Sequence, residues 1–165
     1  MNAFRVAIIT ASDKGYAGQR EDLSGPAIRE IVEANGYEVT HTVILPDDQD
    51  MLADEMARIC DEDVADLLLT TGGTGFSPRD CMPEATMSVV ERAVPGIPEA
   101  MRLFSLKYSQ RSMLSRAAAG IRRRTLIVNL PGSPKAVREN LEYAIPTLAH
   151  GLEMLRGEGS ADCAR

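Results

Sequence analysis

Between Leu67 and Asp80 the chain passes from three leucines through two threonines into Gly72-Gly73-Thr74-Gly75. A short apolar run with a β-branched end reads as a buried strand. Three glycines in four positions permit positive φ and remove side-chain bulk, so the strand ends in a sharp turn with its N–H groups exposed. In an open α/β sheet, a concavity at the carboxyl end of a strand is where an anionic ligand is held. Pro78, Arg79 and Asp80 add a fixed turn, a cation and a carboxylate, which together suit a nucleotide phosphate with a divalent metal. The spacing is neither that of a P-loop nor that of the Gly-x-Gly-x-x-Gly dinucleotide fingerprint. The glycines alone are equally compatible with a turn that merely reverses the chain.

Two more runs share this pattern. Val6–Thr10 is continuously apolar and β-branched, as a central parallel strand should be, and it empties into Ser12-Asp13-Lys14-Gly15. Ser12 and Asp13 are therefore candidate ligand contacts, though turn chemistry explains them as well. Thr125–Leu130 is a third buried strand, carrying Asn129, whose amide needs hydrogen-bond partners in a core. It runs into Pro131-Gly132-Ser133-Pro134, where Ser133 caps a long helix whose apolar stripe runs from Val137 to Leu155 and which Pro146 should kink or split. A fourth, looser strand spans Tyr37–Leu45 and ends at Pro46-Asp47-Asp48. These acids read as an N-cap for the helix that follows. In a doubly wound sheet, however, all such strand ends share one edge, so Asp47 and Asp80 can converge.

The remaining segments are less constrained. Ser24 is expected to cap a helix closed by Asn35-Gly36, and Tyr16–Leu23 is a polar surface loop, whose role in covering a site the sequence leaves open. Helices are expected from Pro83 to Ala93 and from Pro98 onward, the second burying Met101, Leu106 and either Leu103 or Phe104. Met113–Gly120 reads as helix-prone, Arg122–Arg124 as a basic turn that is solvated or meets phosphate, and Gly157–Arg165 as a mobile tail.

The totals narrow the function. At 165 residues the chain suits one domain, residues 1–165, and is short for two. Eighteen basic against twenty-four acidic residues, net −6, argue against nucleic-acid binding. No apolar run is long enough to span a membrane, and no signal peptide is evident, so a cytoplasmic location is expected. Cys60, Cys81 and Cys163 form no metal-binding spacing and the only histidines are His41 and His150, which leaves no structural zinc site.

With Thr70–Asp80, Pro83-Glu-Ala-Thr86, Met113–Ile121 and Leu130–Ala136 in view, the chain resembles the MogA/MoaB family of molybdenum cofactor biosynthesis. The likeness runs from Val6 to about Leu155. The segments Val94–Met101 and Phe104-Ser-Leu106 are similar to MogA-type members more than to MoaB-type ones. The resemblance implies a three-layer α/β/α domain with a mostly parallel sheet, assembled as a homotrimer. It implies transfer of AMP from ATP to the terminal phosphate of molybdopterin, with Mg²⁺ present and pyrophosphate released, and a handover of product to a molybdenum insertase.

Carried over by motif, the essential aspartates, which also bind metal, fall on Asp47 and Asp80. Molybdopterin contacts fall on Ser12, Ser105, Ser115 and Asn129. The nucleotide side falls on Asp13, Gly72, Gly73, Thr74, Gly75, Pro131, Gly132 and Ser133. Lys14, Arg79 and Lys135 are candidate phosphate neutralisers. Two other readings of the same fold are a non-catalytic molybdopterin-binding scaffold and a nucleotide-binding regulator with no pterin ligand.

Overall fold

A computed structural model describes residues 2–157. Six strands form one sheet in the order β2-β1-β3-β6-β5-β4. Strands β1 (Arg5–Ala11), β2 (Glu38–Leu45), β3 (Leu67–Thr71) and β6 (Thr125–Leu130) are mutually parallel; β4 (Arg92–Ala93) and β5 (Ala119–Arg122) run antiparallel at one edge. Side chains along each central strand alternate between two cores. Val6, Ile8, Leu67, Leu69, Val128 and Leu130 face helices α2 (Ser24–Ala34), α5 (Gly96–Ser105) and α6 (Pro134–Arg156). Ala7, Ile9, Leu68 and Ile127 face α3 (Gln49–Asp61) and α4 (Met82–Val89). Strands buried on both faces need apolar residues at every position, which is why these runs do not alternate in polarity. Fully burying each Leu or Ile contributes about 1.5–3 kcal/mol.

Because β1 sits between β2 and β3, the chain leaves it in one direction and returns past it in the other. That reversal, with α2 on one face and α3 on the other, opens a crevice at the carboxyl ends of β1 and β3. The polar turns after β1, β2, β3 and β6 all lie on that edge.

Several expectations change in the structure. The Met113–Gly120 stretch is not helical: a 3-10 turn spans Gln110–Leu114, and Ala119 and Gly120 enter β5. A Cβ on Gly120 would lie 2.6 Å from Val90 Cγ1 and 2.9 Å from the Arg92 carbonyl, so the small residues serve a close strand approach, and packing overrides alanine's helix propensity. Helix α4 stops at Val89, leaving Arg92 and Ala93 to form β4. Helix α5 begins two residues before Pro98 and buries Pro98, Met101 and Ser105, while Leu103 stays 72% exposed. Leu106 is likewise exposed.

Helix α6 runs unbroken through Pro146, which sits on its exposed side, where water can satisfy the freed Glu142 carbonyl. Helix α2 takes its cap from Asp22, whose Oδ1 accepts the Ser24 and Gly25 N–H groups; the Ser24 hydroxyl instead donates to the Gly132 carbonyl. Gly157 closes α6 with φ 76°, so it belongs to the helix end, and the rest of the expected tail, with Cys163, lies outside the described residues. Arg122 and Arg123 both pair with Asp61 at the edge of the sheet opposite the crevice, which rules out their meeting a phosphate there.

That opposite edge is held by Asp66, which accepts from Arg5 and from Arg156 at 2.6 Å. Burial pushes its carboxyl up, but the Arg5 and Arg156 hydrogen bonds outweigh this and hold it at about 2. An acid with a depressed folded value stabilises the fold above its unfolded value near 4 and loses that contribution as pH falls toward 2. Asp66→Asn should therefore cost on the order of 1–2 kcal/mol at pH 7. Urea unfolding at pH 7 and pH 2.5 checks this: the gap from wild type should largely close at the lower pH.

Candidate active site

Two cavities open on the carboxyl edge, separated by the glycine-rich turn. The first, about 710 Å³, is lined by Ser12 after β1, Asp47 after β2, Gly72, Gly73 and Asp80 after β3, and Gly132, Ser133 and Pro134 after β6. The segment Arg20–Ser24 closes its far side. The second, about 330 Å³, is lined by Thr74, Gly75 and Pro131, by Ser105 and Arg102 of α5, by Ser115 and Arg111, and by Asn140 of α6.

Backbone geometry explains the turn. Gly72 has φ 90° and Gly73 φ 68°, a region that L side chains avoid. A Cβ on Gly72 would come within 2.4 Å of the Ala11 carbonyl oxygen, so the ends of β1 and β3 approach as only glycine permits. Gly75 lies against the Asp80 carboxylate, where a Cβ would sit 2.8 Å from Oδ2. Thr71 donates to the Pro131 carbonyl at 2.6 Å, tying this turn to the one after β6.

Asp48 caps α3, accepting from the Met51 N–H, so the Asp47-Asp48 pair divides between helix capping and the cavity. Asp47 and Asp13 clasp each other. The Asp13 N–H donates to Asp47 Oδ2 at 3.2 Å, and the Asp47 N–H donates to Asp13 Oδ1 at 3.0 Å. Arg79 adds a two-pronged guanidinium contact to Asp13, both distances 2.9 Å, and holds its carboxyl below the usual range, with help from the Asp47 N–H. Asp47 is pushed the other way: burial raises it, the Asp13 hydrogen bond opposes this, and the charges of Asp13 and Asp80 raise it further. Asp80 accepts the Ser77 N–H at 3.0 Å.

The sequence-predicted residues fall into three places. Asp47, Asp80, Gly72, Gly73, Gly132 and Ser133 share the larger cavity. Ser12 joins them there rather than the other molybdopterin contacts, its hydroxyl accepting the Gly15 N–H as the cap of α1 (Asp13–Tyr16). Ser105 and Ser115 share the smaller cavity, and Thr74, Gly75 and Pro131 face this side too. Asp13 opens α1 and lines neither cavity, its carboxylate shared between Arg79 and the Asp47 N–H.

Asn129 lines neither cavity. It is fully buried, donating to Thr70 and Thr86 hydroxyls at 3.0 and 2.8 Å and accepting the Ala118 N–H at 3.0 Å, so every polar partner it needs is inside the core. A direct molybdopterin contact by Asn129 is thereby corrected to a structural role that joins β3, α4 and the 115–118 segment. Lys14 and Lys135 are exposed and line neither cavity.

Sequence reasoning left open whether the Tyr16–Leu23 loop covers a site, and it missed Arg102, Arg111 and Asn140. Asp22 was the available clue for the loop, as an acid two residues before a helix start. The others carry no local pattern.

The larger cavity is acidic. Glu21, Asp22, Asp47 and Asp80 line it against the single cation Arg20. A polyphosphate fits such a site only if a divalent cation comes with it. Among the described residues no three His, Cys, Asp or Glu side chains gather into a ready metal site. Asp47 and Asp80 would supply two oxygen ligands and leave the others to phosphate and water, the arrangement magnesium favours. The N-terminus of α6 at Ser133-Pro134 borders the same space and favours bound anions, whereas that of α2 is already filled by the Asp22 carboxylate.

A three-layer α/β/α domain with two cavities on either side of a glycine turn, at the carboxyl edge of its sheet, defines a ligand-binding α/β protein. Residues 7–150 match the family model "Probable molybdopterin binding domain". The chain belongs to this family, that of MogA and MoaB. It is 42% identical over 160 residues to a molybdopterin adenylyltransferase of Helicobacter pylori (strain J99), covering 95% of this chain and 90% of that one. It is 38% identical over 145 residues to the molybdopterin adenylyltransferase of Escherichia coli (strain K12), covering 86% and 74%. The crystal structure of the molybdopterin biosynthesis enzyme MoaB from Thermus thermophilus superposes with a TM-score of 0.89 at 46% identity, covering 94% and 98%.

Proposed function

We propose that the protein is a molybdopterin adenylyltransferase acting in molybdenum cofactor biosynthesis. The observation that carries this reading is the placing of two cavities on either side of Gly72–Gly75, one lined by Asp47 and Asp80 and one by Ser105 and Ser115. ATP occupies the larger cavity and molybdopterin the smaller, so the terminal phosphate of the pterin meets the α-phosphate of ATP at the shared turn.

A phosphate oxygen attacks the α-phosphorus, the bond to the bridging oxygen breaks, and pyrophosphate leaves. A phosphate monoester has a second pKa of about 6, so the nucleophile is already ionised near neutral pH and no general base is required. Asp47 and Asp80 would hold a Mg²⁺ ion, whose charge would offset that of the polyphosphate. The chain itself supplies position: N–H groups of the glycine turn and the N-terminus of α6 orient the phosphates. Cys81 takes no part; burial and then the Asp47 and Glu84 charges push its thiol up, away from the reactive thiolate.

The family resemblance supports assembly as a homotrimer, a cytoplasmic setting and handover of adenylylated product to a molybdenum insertase. No helix among the described residues is long and apolar enough to cross a membrane. Purified protein given ATP, Mg²⁺ and molybdopterin should release pyrophosphate and form the adenylylated pterin, with neither seen when molybdopterin is omitted. Molybdopterin binding without turnover would reduce the protein to a binding module. Light scattering on the same preparation tests the trimer.

A further inference from the structure

Asp80 sits on a loop held by polar contacts alone. Residues 76–79 are all exposed, with Phe76 at 71%, so no buried apolar side chain anchors them. Inside the loop the Asp80 N–H donates to the Ser77 carbonyl at 2.9 Å, and the Ser77 N–H returns to the Asp80 carboxylate. A carboxylate that must share a cation with Asp47 needs tighter placement than one turn provides.

Arg79 ties the loop's tip to Asp13, and the bonds at the loop's two ends come from Arg116. Its Nε donates to the Gly75 carbonyl at 2.7 Å and its Nη2 to the Asp80 carbonyl at 3.0 Å, so one planar guanidinium closes both ends of the 75–80 loop. Its backbone N–H donates to the Thr74 carbonyl at 2.9 Å, and its Nη1 pairs with Glu84 at the start of α4. Arg116 is also the neighbour of Ser115, which lines the smaller cavity. The Ser115 and Ala117 carbonyls are held by Arg102 Nη1 at 3.3 and 3.0 Å.

We infer that Arg116 is the positioning residue for Asp80, fixing that carboxylate against the wall of the smaller cavity without touching either substrate. The inference rests on the adenylyltransferase reading for its consequence, though its geometry does not. An arginine is required because its flat, forked donors reach two carbonyls at once. A lysine ammonium keeps the charge and loses the fork.

Full-length Arg116→Lys and Arg116→Ala are compared with wild type by amide hydrogen exchange, by Mn²⁺ binding in the presence of ATP, and by pyrophosphate release. In both variants the Ser77 and Asp80 amides should exchange about tenfold faster while those of Leu68 and Ile127 keep their protection. Mn²⁺ affinity should fall by about tenfold, and kcat by about a hundredfold, the scale of a small misplacement of a reacting group. Guanidinium ion should restore part of the kcat of Arg116→Ala and none of that of Arg116→Lys, whose side chain fills the space.

Unchanged exchange at Ser77 and Asp80 with unchanged Mn²⁺ affinity overturns the inference, as does loss of protection throughout the sheet in Arg116→Lys. Should Arg116→Ala alone unfold, Arg116→Lys decides. A wild type that binds Mn²⁺ yet releases no pyrophosphate would instead sink the adenylyltransferase reading, and the exchange data would still judge Arg116.

Discussion

Asp47→Asn and Asp80→Asn are each expected to slow pyrophosphate release by about a thousandfold, the scale lost when a group stabilising transition-state charge is removed. The fold should survive both. Asparagine keeps the shape of aspartate and one acceptor oxygen, which is all that the Asp13 N–H asks of residue 47 and the Ser77 N–H of residue 80. Stability should move opposite to activity at residue 47. Its carboxyl is raised by burial and, beyond that, by the charges of Asp13 and Asp80. An acid raised in the folded state costs stability once it ionises, above its unfolded value near 4, and a neutral amide removes that cost. Asp47→Asn should therefore melt at or above the wild-type temperature at pH 7. The gain should shrink as pH falls toward the unfolded value near 4, below which folded and unfolded aspartate are alike protonated. Mg²⁺ with ATP should raise the melting temperature of wild type and leave that of both variants nearly unmoved. Activity within about threefold of wild type in either variant would remove both residues from the cation site.

The parts of this architecture that were readable in the sequence are those built from unbroken apolar runs. Leu67–Leu69 and Thr125–Leu130 are buried on both faces, and burial on both faces forbids alternation, so the runs announce central strands. Once those strands are parallel, their polar ends must share an edge, and Asp47 and Asp80 come to line one cavity through topology alone. The antiparallel strands β4 and β5 were not readable, because Ala119 and Gly120 are there to let backbones approach, and smallness has no period. The division of the site was also hidden. Thr74 and Gly75 point to one cavity and Gly72 and Gly73 to the other, a split within four residues that depends on two positive φ angles. Arg116 was invisible as a working residue for a further reason: its partners at Gly75 and Asp80 are backbone carbonyls, which every residue carries. Asn129 misled in the opposite sense, since a polar residue at the end of a buried strand resembles a ligand contact until its three internal bonds are seen.

Gly72→Ala should be the most damaging single methyl in the chain, destabilising by about 3–5 kcal/mol. Replacing glycine by alanine ordinarily stabilises by about 0.4–1 kcal/mol, because the unfolded chain loses freedom. Two effects oppose that at residue 72. Its φ of 90° lies where an L side chain is strained, at a cost of about 1–3 kcal/mol. The added Cβ would also stand 2.4 Å from the Ala11 carbonyl oxygen, which is backbone of a central strand and cannot rotate away. Relief requires β1 and β3 to part at their carboxyl ends, and that gap is where Ser12 and Asp47 border the larger cavity. Loss of stability and loss of activity should therefore appear together. Gly151→Ala supplies the comparison, because residue 151 lies within α6 with open space around its Cα. There the same methyl should stabilise by about 0.5–1 kcal/mol, through helix propensity alone, and leave pyrophosphate release unchanged. Urea unfolding of the two variants beside wild type decides the matter: opposite signs support a backbone contact that only glycine allows. A Gly72→Ala midpoint equal to that of wild type would mean that the two strand ends have room to spare.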